Sequence, residues 1–470
     1  MRNRYTKILA TVGPASASPS MLRMLHEIGV DAFRLNFSHG SHEDHKSVIQ
    51  HIRDIEADTN IPISIIADMQ GPKIRCGVFE NDQIELKHGE QITIECSDEL
   101  GKDGLIRMPH PELIKALGPG HILKFDDGKL RVTINSNDGE KLTATVDTPG
   151  ILKNKKGINI INAVLPMSAM TDKDKTDMEF ALSQNVDFIA LSFVQTVEDV
   201  KDARAIIGDQ AGIIVKIEKP SAVENLTEIL LESDVVMVAR GDLGVELPLE
   251  QVPVVQRRII REARDLGKPV IVATHMLESM IDAPSPTRAE ASDVATAIYQ
   301  GSDVVMLSAE TAVGRHPTTA VAIMDRIIRA AEADPDYWKA FAVGSLTSKG
   351  STEDAISYST KGIAETMNCA AVFGHTRTGS TVNRISRQRP PCPIIGLTPL
   401  INTARRLVLS WGVVPIITSD PESFDEMVEA TQVVSTSKLG LPKGEKVLIT
   451  AGIPFGRPGT TNTLKVAVIE

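Results

Sequence analysis

Eight short apolar segments, each followed by an amphipathic stretch long enough for a helix, recur along the first three-quarters of the chain. They are residues 7–13, 32–38, 63–71, 187–194, 212–218, 235–241, 269–276 and 304–310. Uninterrupted apolar runs indicate strands that are buried on both faces, as in parallel sheets covered by helices. Eight such units are the number that closes a (β/α)8 barrel. The repeat therefore predicts an α/β fold built on a TIM barrel.

The third and fourth segments are separated by more than a hundred residues. Residues 72–165 consist of short alternating stretches, with turn signals at Asp127-Gly128 and Asp138-Gly139. We predict that they form a small antiparallel β-barrel domain inserted into a βα loop. Because βα loops surround the barrel mouth, this domain is expected to act as a lid. The catalytic barrel would then comprise residues 1–71 and 166–340.

The last quarter of the chain has a different pattern. Residues 342–354 are polar and rich in glycine and serine, which indicates a linker. Strand-like runs then alternate with helical stretches at residues 370–376, 393–398, 413–418, 446–452 and 463–470. This pattern predicts an open α/β domain over residues 341–470, whose strand order the sequence leaves undetermined. We expect oligomer contacts and any effector site there.

Composition limits the compartment and the partners. The 470-residue chain has a formal net charge of -11, which argues against nucleic acid as a main partner. It has no apolar run of roughly 18 residues that could span a membrane, and its first apolar stretch is too short for a signal peptide. The four cysteines lack zinc or disulfide spacing. We therefore expect a cytoplasmic protein without membrane partners.

Polar and charged residues end most of the predicted barrel strands. TIM-barrel active sites are built at these carboxyl ends. Any one of the residues would be equally well explained by an ion pair at the barrel mouth, but their recurrence indicates a functional site. The candidates are Arg34, Asn36, Ser38, Asp68, Gln70, Lys73, Arg75, Lys216, Glu218, Gly241, Asp242, Thr274, His275, Ser308 and Glu310.

Two of these candidates are carboxylates that follow neighbouring strands. Glu218 and Asp242 offer the hard oxygen ligands that Mg²⁺ prefers. Lys216 lies two residues before Glu218 and so faces the same side of its strand. Gly241 has no Cβ, so its amide and that of Asp242 could donate to a substrate carboxylate. With the cations Arg34 and Arg75, the set suits a phosphorylated carboxylic acid.

Longer motifs carry a family resemblance. RLNFSHG (34–40), GPKIR (71–75), KIE (216–218), ARGDLGVE (239–246), ATHML (273–277), PTRAE (286–290) and SAETAVG (308–314) resemble pyruvate kinase, and the similarity extends to GTTNT at 459–463. The resemblance implies a homotetrameric glycolytic enzyme that transfers the phosphoryl group of phosphoenolpyruvate to ADP, giving pyruvate and ATP. It also implies Mg²⁺, or Mn²⁺ in its place, as cofactor.

The resemblance also implies roles for single residues. Lys216 would stabilise the migrating phosphoryl group, which Arg34 and Arg75 grip, while Glu218 and Asp242 hold the metal. The substrate would contact Arg34, Lys216, Gly241, Asp242 and Thr274. The enolate would be protonated through Thr274, Ser308 or Glu310, which remain unranked. The nucleotide would contact Asn36, His39, Arg75 and Lys156.

One departure from the family concerns potassium. Potassium-dependent members read DTKGPEIR where this chain reads DMQGPKIR at 68–75. The remaining candidate ligands for a monovalent cation are Asn36, Ser38, Asp68 and Met69. Lys73 replaces a glutamate, and its ammonium carries the same charge as K⁺. We expect activity without added potassium; the alternative is a solvent-facing lysine that compensates for nothing.

The C-terminal domain contains a candidate effector loop. The polar loop HTRTGST opens a predicted helix after a strand, and its amides could cradle the phosphate of a sugar-phosphate or nucleotide effector. The residues are Thr376, Arg377, Thr378, Gly379, Ser380 and Thr381. A loop that binds nothing is the alternative.

Two other classes of function share parts of this pattern. A metal-dependent enolate lyase or aldolase would use the barrel and its carboxylates but would not need a lid or Arg75. A non-catalytic sugar-phosphate sensor would keep the C-terminal loop and lose Lys216 or a metal carboxylate. ATP formation from phosphoenolpyruvate and ADP separates all three.

Overall fold

The computed structural model describes residues 2–161, 168–341, 350–453 and 461–470. Within those ranges no helix is both long enough and apolar enough to cross a bilayer. The chain begins with three strands and two helices: β1 (Lys7–Val12), α1 (Pro19–Ile28), β2 (Ala32–Asn36), α2 (His42–Thr59) and β3 (Ser64–Asp68). A capping box of Ser41 and Asp44 starts α2 and so ends the loop that follows β2.

The inserted segment forms a β-rich unit with its own core. Its elements are β4 (Gln83–Leu86), β5 (Gln91–Glu95), β6 (Leu105–Arg107), α3 (Pro111–Ala116), β7 (Ile122–Phe125), β8 (Leu130–Asn137), β9 (Lys141–Thr148), β10 (Gly150–Lys153) and β11 (Ile158–Ile161). The order β11-β7-β8-β9-β5-β6 forms one sheet, and β10 pairs with β4. The hairpins predicted at Asp127-Gly128 and Asp138-Gly139 are confirmed. The pairing of β5 with β6 is parallel, and neither it nor α3 was predicted.

The chain then returns to the barrel and completes it. The elements are α4 (Asp172–Ser183), β12 (Phe188–Leu191), α5 (Val197–Ile207), β13 (Gly212–Ile217), α6 (Pro220–Glu224), α7 (Leu226–Glu232), β14 (Val235–Ala239), α8 (Arg240–Glu246), α9 (Val252–Leu266), β15 (Val270–Ala273), α10 (Arg288–Gln300), β16 (Val304–Leu307), α11 (Ala309–Ala312), α12 (Pro317–Glu332) and α13 (Pro335–Lys339). The strands close in the order β1-β16-β15-β14-β13-β12-β3-β2, which confirms the predicted TIM barrel.

The barrel strands are shorter than the apolar segments suggest. Arg240, Gly241 and Asp242 form the first turn of α8 rather than the end of a strand. The ladder between β14 and β15 stops at the pair Ala239 and Ala273, so the chain is free to turn beyond it. Asp242 is therefore presented by a helix start at the barrel mouth.

The barrel interior is filled with apolar side chains at its amino end. Leu9, Ile214 and Ile271 are fully buried and belong to one cluster inside the strands. Val408 and Leu409, from the C-terminal part of the chain, pack into the same cluster. Because this end is sealed, the carboxyl ends of the strands are left as the open, polar face.

The C-terminal segment forms a five-stranded sheet in the described part of the chain. Its elements are α14 (Thr352–Met367), β17 (Ala371–His375), α15 (Ser380–Ser386), β18 (Ile394–Thr398), α16 (Ile401–Leu407), β19 (Val413–Ile417), α17 (Phe424–Ser437), β20 (Lys446–Gly452) and β21 (Thr461–Val468). The strand order is β19-β18-β17-β20-β21, with β21 antiparallel. Residues 342–349 of the predicted linker and residues 459–460 of GTTNT lie outside the described residues.

A buried arginine ties the C-terminal sheet to the barrel. The Arg389 side chain is inaccessible to solvent, and its Nη1 lies 2.9 Å from Asp303 Oδ1. Its Nη2 donates to the carbonyl of Gly301 at 2.8 Å, and its guanidinium lies 4.8 Å from the centroid of the Trp411 ring. A charge buried this deeply is tolerated because it is paired and hydrogen-bonded. Nothing in the sequence pattern identified this pair.

Candidate active site

Four charged side chains meet at the carboxyl ends of β2, β3 and β13. Arg34 Nε donates to Asp68 Oδ2 at 2.6 Å. Lys216 Nζ lies 3.4 Å from Asp68 Oδ1 and 2.9 Å from Glu218 Oε1. The alternation of side chains along a strand accounts for the closeness of Lys216 and Glu218. These four residues, all identified from the sequence, form one ion cluster.

In this cluster, burial and the neighbouring opposite charges shift the pKa of each side chain in opposite directions. Burial alone would lower the pKa of Lys216, but Asp68 and Glu218 outweigh it and hold that pKa above its ordinary value. Burial would raise the pKa of Asp68, yet Arg34 and Lys216 hold it below the usual range. Burial raises the pKa of Glu218 to about 7; Lys216 opposes this rise and Asp242 adds to it. Of the two carboxylates in this cluster, Glu218 is therefore the one whose charge the protein compensates less.

The cluster fits a divalent cation. Glu218 Oε2 accepts a hydrogen bond from the Phe193 amide at 2.8 Å, and Glu218 Oε1 is paired with the Lys216 ammonium at 2.9 Å. Asp242 lines the cleft between the barrel and the inserted unit, and its charge acts on Glu218. The two carboxylates suit Mg²⁺, which binds one or two such groups and keeps substrate and water as further ligands. No group of three or more His, Cys, Asp or Glu residues that could hold a metal occurs in the described ranges.

Thr274 has a strained backbone at the end of β15. The φ of Thr274 is 65°, which is unusual for a β-branched residue. The φ of the next residue, His275, is also positive, at 54°. The Gly241 amide donates to Thr274 Oγ1 at 2.7 Å, and Thr274 Oγ1 donates to the Ala273 carbonyl at 2.6 Å. Such backbone strain costs on the order of 1–3 kcal/mol and tends to occur at functional sites. The Gly241 amide, predicted to hold substrate, is thus already engaged.

Ser308 and Glu310 have different surroundings. Both Glu310 oxygens accept backbone amides, from Leu277 at 3.0 Å and from Ser308 at 2.6 Å. Burial raises the pKa of Glu310, and these amides oppose the rise. In contrast, Ser308 Oγ is buried without a hydrogen-bond partner among the described atoms. Glu310 therefore fixes backbone positions, while Ser308 keeps a free hydroxyl.

Several oxygens predicted to bind a monovalent cation already have protein donors. Asn36 Oδ1 accepts the Ser38 amide at 3.1 Å, and Asp68 is paired with two cations. The Met69 carbonyl accepts Ser192 Oγ at 2.7 Å, and the same hydroxyl accepts Lys216 Nζ at 2.8 Å. Sequence analysis missed Ser192, which follows β12. The only sequence signal for Ser192 was an uncharged polar residue directly after a predicted strand.

Lys73 lies at the mouth of the cleft. Its side chain is exposed and lines the same cleft as Asp242. The ion pairs found within the described residues do not include Lys73. The ammonium is thus available to a ligand at the cleft, and no carboxylate in the described ranges holds it at the ion cluster.

The residues predicted to contact nucleotide come from the barrel and from the inserted unit. His39 is exposed in the loop after β2. Arg75 is exposed and donates to the Lys155 carbonyl at 3.2 Å, while Lys156 pairs with Asp126 at 2.7 Å within the inserted unit. Asp126 raises the pKa of Lys156. The ion pair with Asp126 would have to break before Lys156 could reach a nucleotide.

The inserted unit contacts the helix that carries Asp242. Lys124 Nζ donates to the Val245 carbonyl at 2.5 Å, and Asn159 Nδ2 donates to Glu246 Oε1 at 2.9 Å. Glu246 also accepts Lys219 Nζ at 2.5 Å. Because α8 starts at the ion cluster and ends at these contacts, it connects the inserted unit to the candidate metal ligand. The sequence contained no signal for these contacts.

The predicted effector loop lies between β17 and α15. Gly379 has a φ of 91°, and its amide donates to Thr376 Oγ1 at 2.9 Å. Arg377 pairs with Asp420, which partly neutralises its charge. Thr381 Oγ1 lies 2.7 Å from Thr461 Oγ1. The remaining predicted residues, Thr378 and Ser380, are hydrogen-bonded to each other.

Comparisons with known proteins agree with this geometry. A family model described as pyruvate kinase, barrel domain, matches residues 3–321, and one described as pyruvate kinase, alpha/beta domain, matches residues 354–467. A pyruvate kinase of Methylorubrum extorquens is 44% identical over 468 residues, covering 100% of this chain and 98% of the relative. One from Agrobacterium vitis is 46% identical over 470 residues, covering 99% and 97%.

Solved structures lead to the same family. The crystal structure of a pyruvate kinase from Cryptosporidium parvum superposes with a TM-score of 0.93 at 34% identity, covering 99% of this chain and 96% of the other. Both family domains, the full-length relatives and the fold therefore agree. The chain belongs to the pyruvate kinase family.

Proposed function

We propose that this chain, a phosphotransferase by family, transfers the phosphoryl group of phosphoenolpyruvate to ADP with Lys216, Glu218 and Asp242, and does so without added potassium. The observation that carries the proposal is the Lys216 ammonium, whose side chain is 12% exposed and which is held between two carboxylates at the open end of the barrel. Phosphoryl transfer depends mainly on positioning and charge neutralisation, and such a cluster supplies both.

The side chains would divide the work by their positions. Lys216 and Arg34 would bind oxygens of the migrating group, since both are held in place by Asp68. Glu218 and Asp242 would hold Mg²⁺, which when bound neutralises charge on the substrate carboxylate and enolate oxygens. A substrate carboxylate that used the Gly241 amide would first displace Thr274 Oγ1 from it.

Ser308 is the best candidate among the three predicted routes for enolate protonation. Its hydroxyl is buried and has no hydrogen-bond partner among the described atoms, so it can bind a water or the enolate. Thr274 already donates to the Ala273 carbonyl, and Glu310 is engaged by two amides. We propose that Ser308 relays the proton and that Glu310 positions it.

Nucleotide binding would use the cleft below the inserted unit. We propose that Asn36, His39 and Arg75 contact ADP and that Lys156 joins them after leaving Asp126. Exposure of His39 and Arg75 supports this assignment. A test is the KM for ADP in Lys156→Gln and Asp126→Asn. The first variant should raise KM, whereas the second should leave it unchanged or lower it.

Potassium independence rests on two features of the site. Asn36 Oδ1, Asp68 Oδ2 and the Met69 carbonyl, three of the candidate oxygens, already accept protein donors, which leaves fewer lone pairs for a free cation. Lys73 adds a permanent positive charge at the cleft, where it has no carboxylate partner among the described residues. The engaged oxygens disfavour a bound K⁺, and the Lys73 ammonium would supply positive charge to the substrate in its place.

The test is ATP formation from phosphoenolpyruvate, ADP and Mg²⁺ in tetramethylammonium buffer free of sodium and potassium. Wild-type enzyme should turn over fully, and Lys73→Glu should lose activity that KCl restores. Lys73→Gln serves as control, because it removes the charge without adding a carboxylate and should respond less to KCl. Near-zero wild-type activity that KCl restores would contradict the proposal. Absence of ATP formation under all conditions would instead favour a lyase, aldolase or sensor.

The remaining proposals concern assembly and regulation. We propose a cytoplasmic homotetramer with a phosphorylated effector at Thr376–Thr381. Support for assembly comes from apolar side chains such as Leu249 and Val254, which are 75% and 69% exposed on the barrel surface. Light scattering that gives a monomer mass would contradict the tetramer.

A further inference from the structure

The guanidinium of Arg240 contacts the strained turn that follows β15. Arg240 is the first residue of α8, and only 9% of its side chain is exposed. Its Nη2 donates to the Thr274 carbonyl at 2.6 Å, and its Nε lies 3.2 Å from the carbonyls of Ala273 and Thr274. The same Nη2 lies 2.8 Å from Met276 Sδ. One side chain therefore contacts three of the four residues from 273 to 276.

The turn in its own right supports the start of α8. The first amides of a helix have no partner within the helix, and α8 has no capping hydrogen bond from the side chain of Ala239. The Gly241 amide donates instead to Thr274 Oγ1 at 2.7 Å. Arg240 thus gives donors to the turn, and the turn gives an acceptor to the helix. The start of α8 and the end of β15 fix each other.

The turn needs this support because its backbone is strained. Thr274 has a φ of 65°, a conformation that a β-branched residue keeps only where its surroundings enforce it. The ladder between β14 and β15 ends at the pair Ala239 and Ala273, so the carbonyls from that point onward need other donors. Arg240 supplies those donors.

Asp293 on α10 holds the guanidinium in place. Arg240 Nη1 lies 2.7 Å from Asp293 Oδ1 and 2.6 Å from Asp293 Oδ2. Arginine has five donors in a rigid planar group, so it can bind a carboxylate on one side and carbonyls on the other. A lysine ammonium is a compact charge that would not span both sets of acceptors. Sequence analysis assigned no role to either residue.

We propose that Arg240 is a positioning residue for the substrate, which holds Thr274 Oγ1 and the Gly241 amide in one arrangement at the barrel mouth and is itself anchored by Asp293. This inference rests on the proposed function, in which Gly241 and Thr274 contact phosphoenolpyruvate. Arg240 acts through the turn, because the turn and Asp293 engage all three of its guanidinium nitrogens.

Loss of the guanidinium would let the turn relax to an unstrained backbone. Binding of phosphoenolpyruvate would then have to order the turn again, which weakens binding and misplaces the bound substrate. The residues assigned to the nucleotide lie on other segments of the chain. The consequence should therefore be specific to one of the two substrates.

The kinetic test compares variants in ATP formation from phosphoenolpyruvate and ADP. In Arg240→Met, the KM for phosphoenolpyruvate should rise at least about tenfold, whereas the KM for ADP should stay within about twofold of wild type. Arg240→Lys keeps the charge but only part of the donor set, so its KM for phosphoenolpyruvate should lie between those of Arg240→Met and wild type. Asp293→Asn weakens the anchor without altering a contact to the turn, and should have a smaller effect than Arg240→Met.

Arg53→Met is the matched control. Arg53 also joins a carboxylate to a backbone carbonyl, with Asp187 Oδ2 at 2.7 Å and the Ile63 carbonyl at 2.8 Å. These contacts lie at the amino ends of β3 and β12, away from the barrel mouth. The loss of Arg53 should lower stability but leave the KM for phosphoenolpyruvate within about twofold of wild type.

A double-mutant cycle tests whether Arg240 acts through Thr274. In a Thr274→Ala background, Arg240→Met should cause little further rise in the KM for phosphoenolpyruvate. A full, additive rise would overturn the proposal. So would an unchanged or lower KM in Arg240→Met, or an equal rise in Arg53→Met. If Arg240→Met does not fold, Arg240→Lys and Asp293→Asn decide by the same criteria.

Crystals of Arg240→Met give an answer that does not depend on activity. The φ of Thr274 should become negative, and a φ that stays near 65° would refute the role of Arg240. Absence of ATP formation by the wild-type enzyme would count against the proposed function, while the crystals would still show whether Arg240 holds the turn.

Discussion

Replacing Lys216 with methionine tests the central feature of the site. Methionine keeps much of the length of the side chain and removes the ammonium, which lies 2.9 Å from Glu218 Oε1. If a phosphoryl oxygen takes a comparable contact, the lost interaction is about 6 kcal/mol at an effective dielectric constant of about 20. Loss of a single oxyanion donor costs about 3 kcal/mol in other enzymes. We therefore expect kcat to fall by roughly 10²–10⁴-fold.

The assay should separate phosphoryl transfer from proton transfer. Pyruvate formation from phosphoenolpyruvate and ADP reports the whole reaction, whereas exchange of the pyruvate methyl protons in deuterated buffer with Mg²⁺ reports the enolate step alone. Because Lys216 is assigned to the phosphoryl group, proton exchange should decline less than pyruvate formation. Asp68 keeps its pair with Arg34 in this variant, so the fold should survive.

Lys7→Met is the matched control. Lys7 is also a buried lysine on a barrel strand, 8% exposed, with its Nζ 2.7 Å from the Val413 carbonyl. Burial lowers its pKa to about 8. Removing this ammonium should affect stability but leave kcat nearly unchanged. The reasoning is refuted if Lys216→Met retains activity within about tenfold of wild type, or if Lys7→Met loses as much.

Three further predictions address the metal, the domain contact and pH. Glu218→Gln should raise the Mg²⁺ concentration needed for half-maximal activity by at least about tenfold; an unchanged requirement would remove Glu218 from the metal site. Arg389→Met leaves Asp303 buried without its cation, and should lower the free energy of unfolding in denaturant by about 3–5 kcal/mol; a loss below about 1 kcal/mol would contradict this. Burial lowers the pKa of His375 to about 4, so its folded form resists protonation and stability is lost as pH falls from about 6.5 toward 4. His375→Gln should reduce that loss by about 3 kcal/mol, measured as unfolding free energy against pH, and an unaltered profile would show that His375 does not contribute.

The barrel strands and their polar ends could be predicted because both are local properties of the chain. A strand buried on two faces must be apolar along its length, and the residue that follows it is free to be charged. Lys216 and Glu218 illustrate this, since a spacing of two along a strand is enough to put them on one face. The motifs then extended the prediction from a type of site to a family.

Other features depend on residues that are far apart in sequence. Ser192 contacts both Met69 and Lys216, yet as an uncharged residue it carried no pattern. The strain at Thr274 and its hydrogen bond with the Gly241 amide depend on how β14 and β15 meet. A cavity between the barrel and the C-terminal sheet is lined by residues of both, so no single stretch of sequence contains it.

The sequence by itself determined the barrel, the inserted and C-terminal units, and the chemical class of the residues at the barrel mouth. These follow from periodicity and residue type, which act over a few neighbouring positions. The tertiary structure alone decided which oxygens already have donors and which ions are paired. Those outcomes depend on burial and on distances of a few ångströms between segments hundreds of residues apart, where the low dielectric of the interior amplifies each charge.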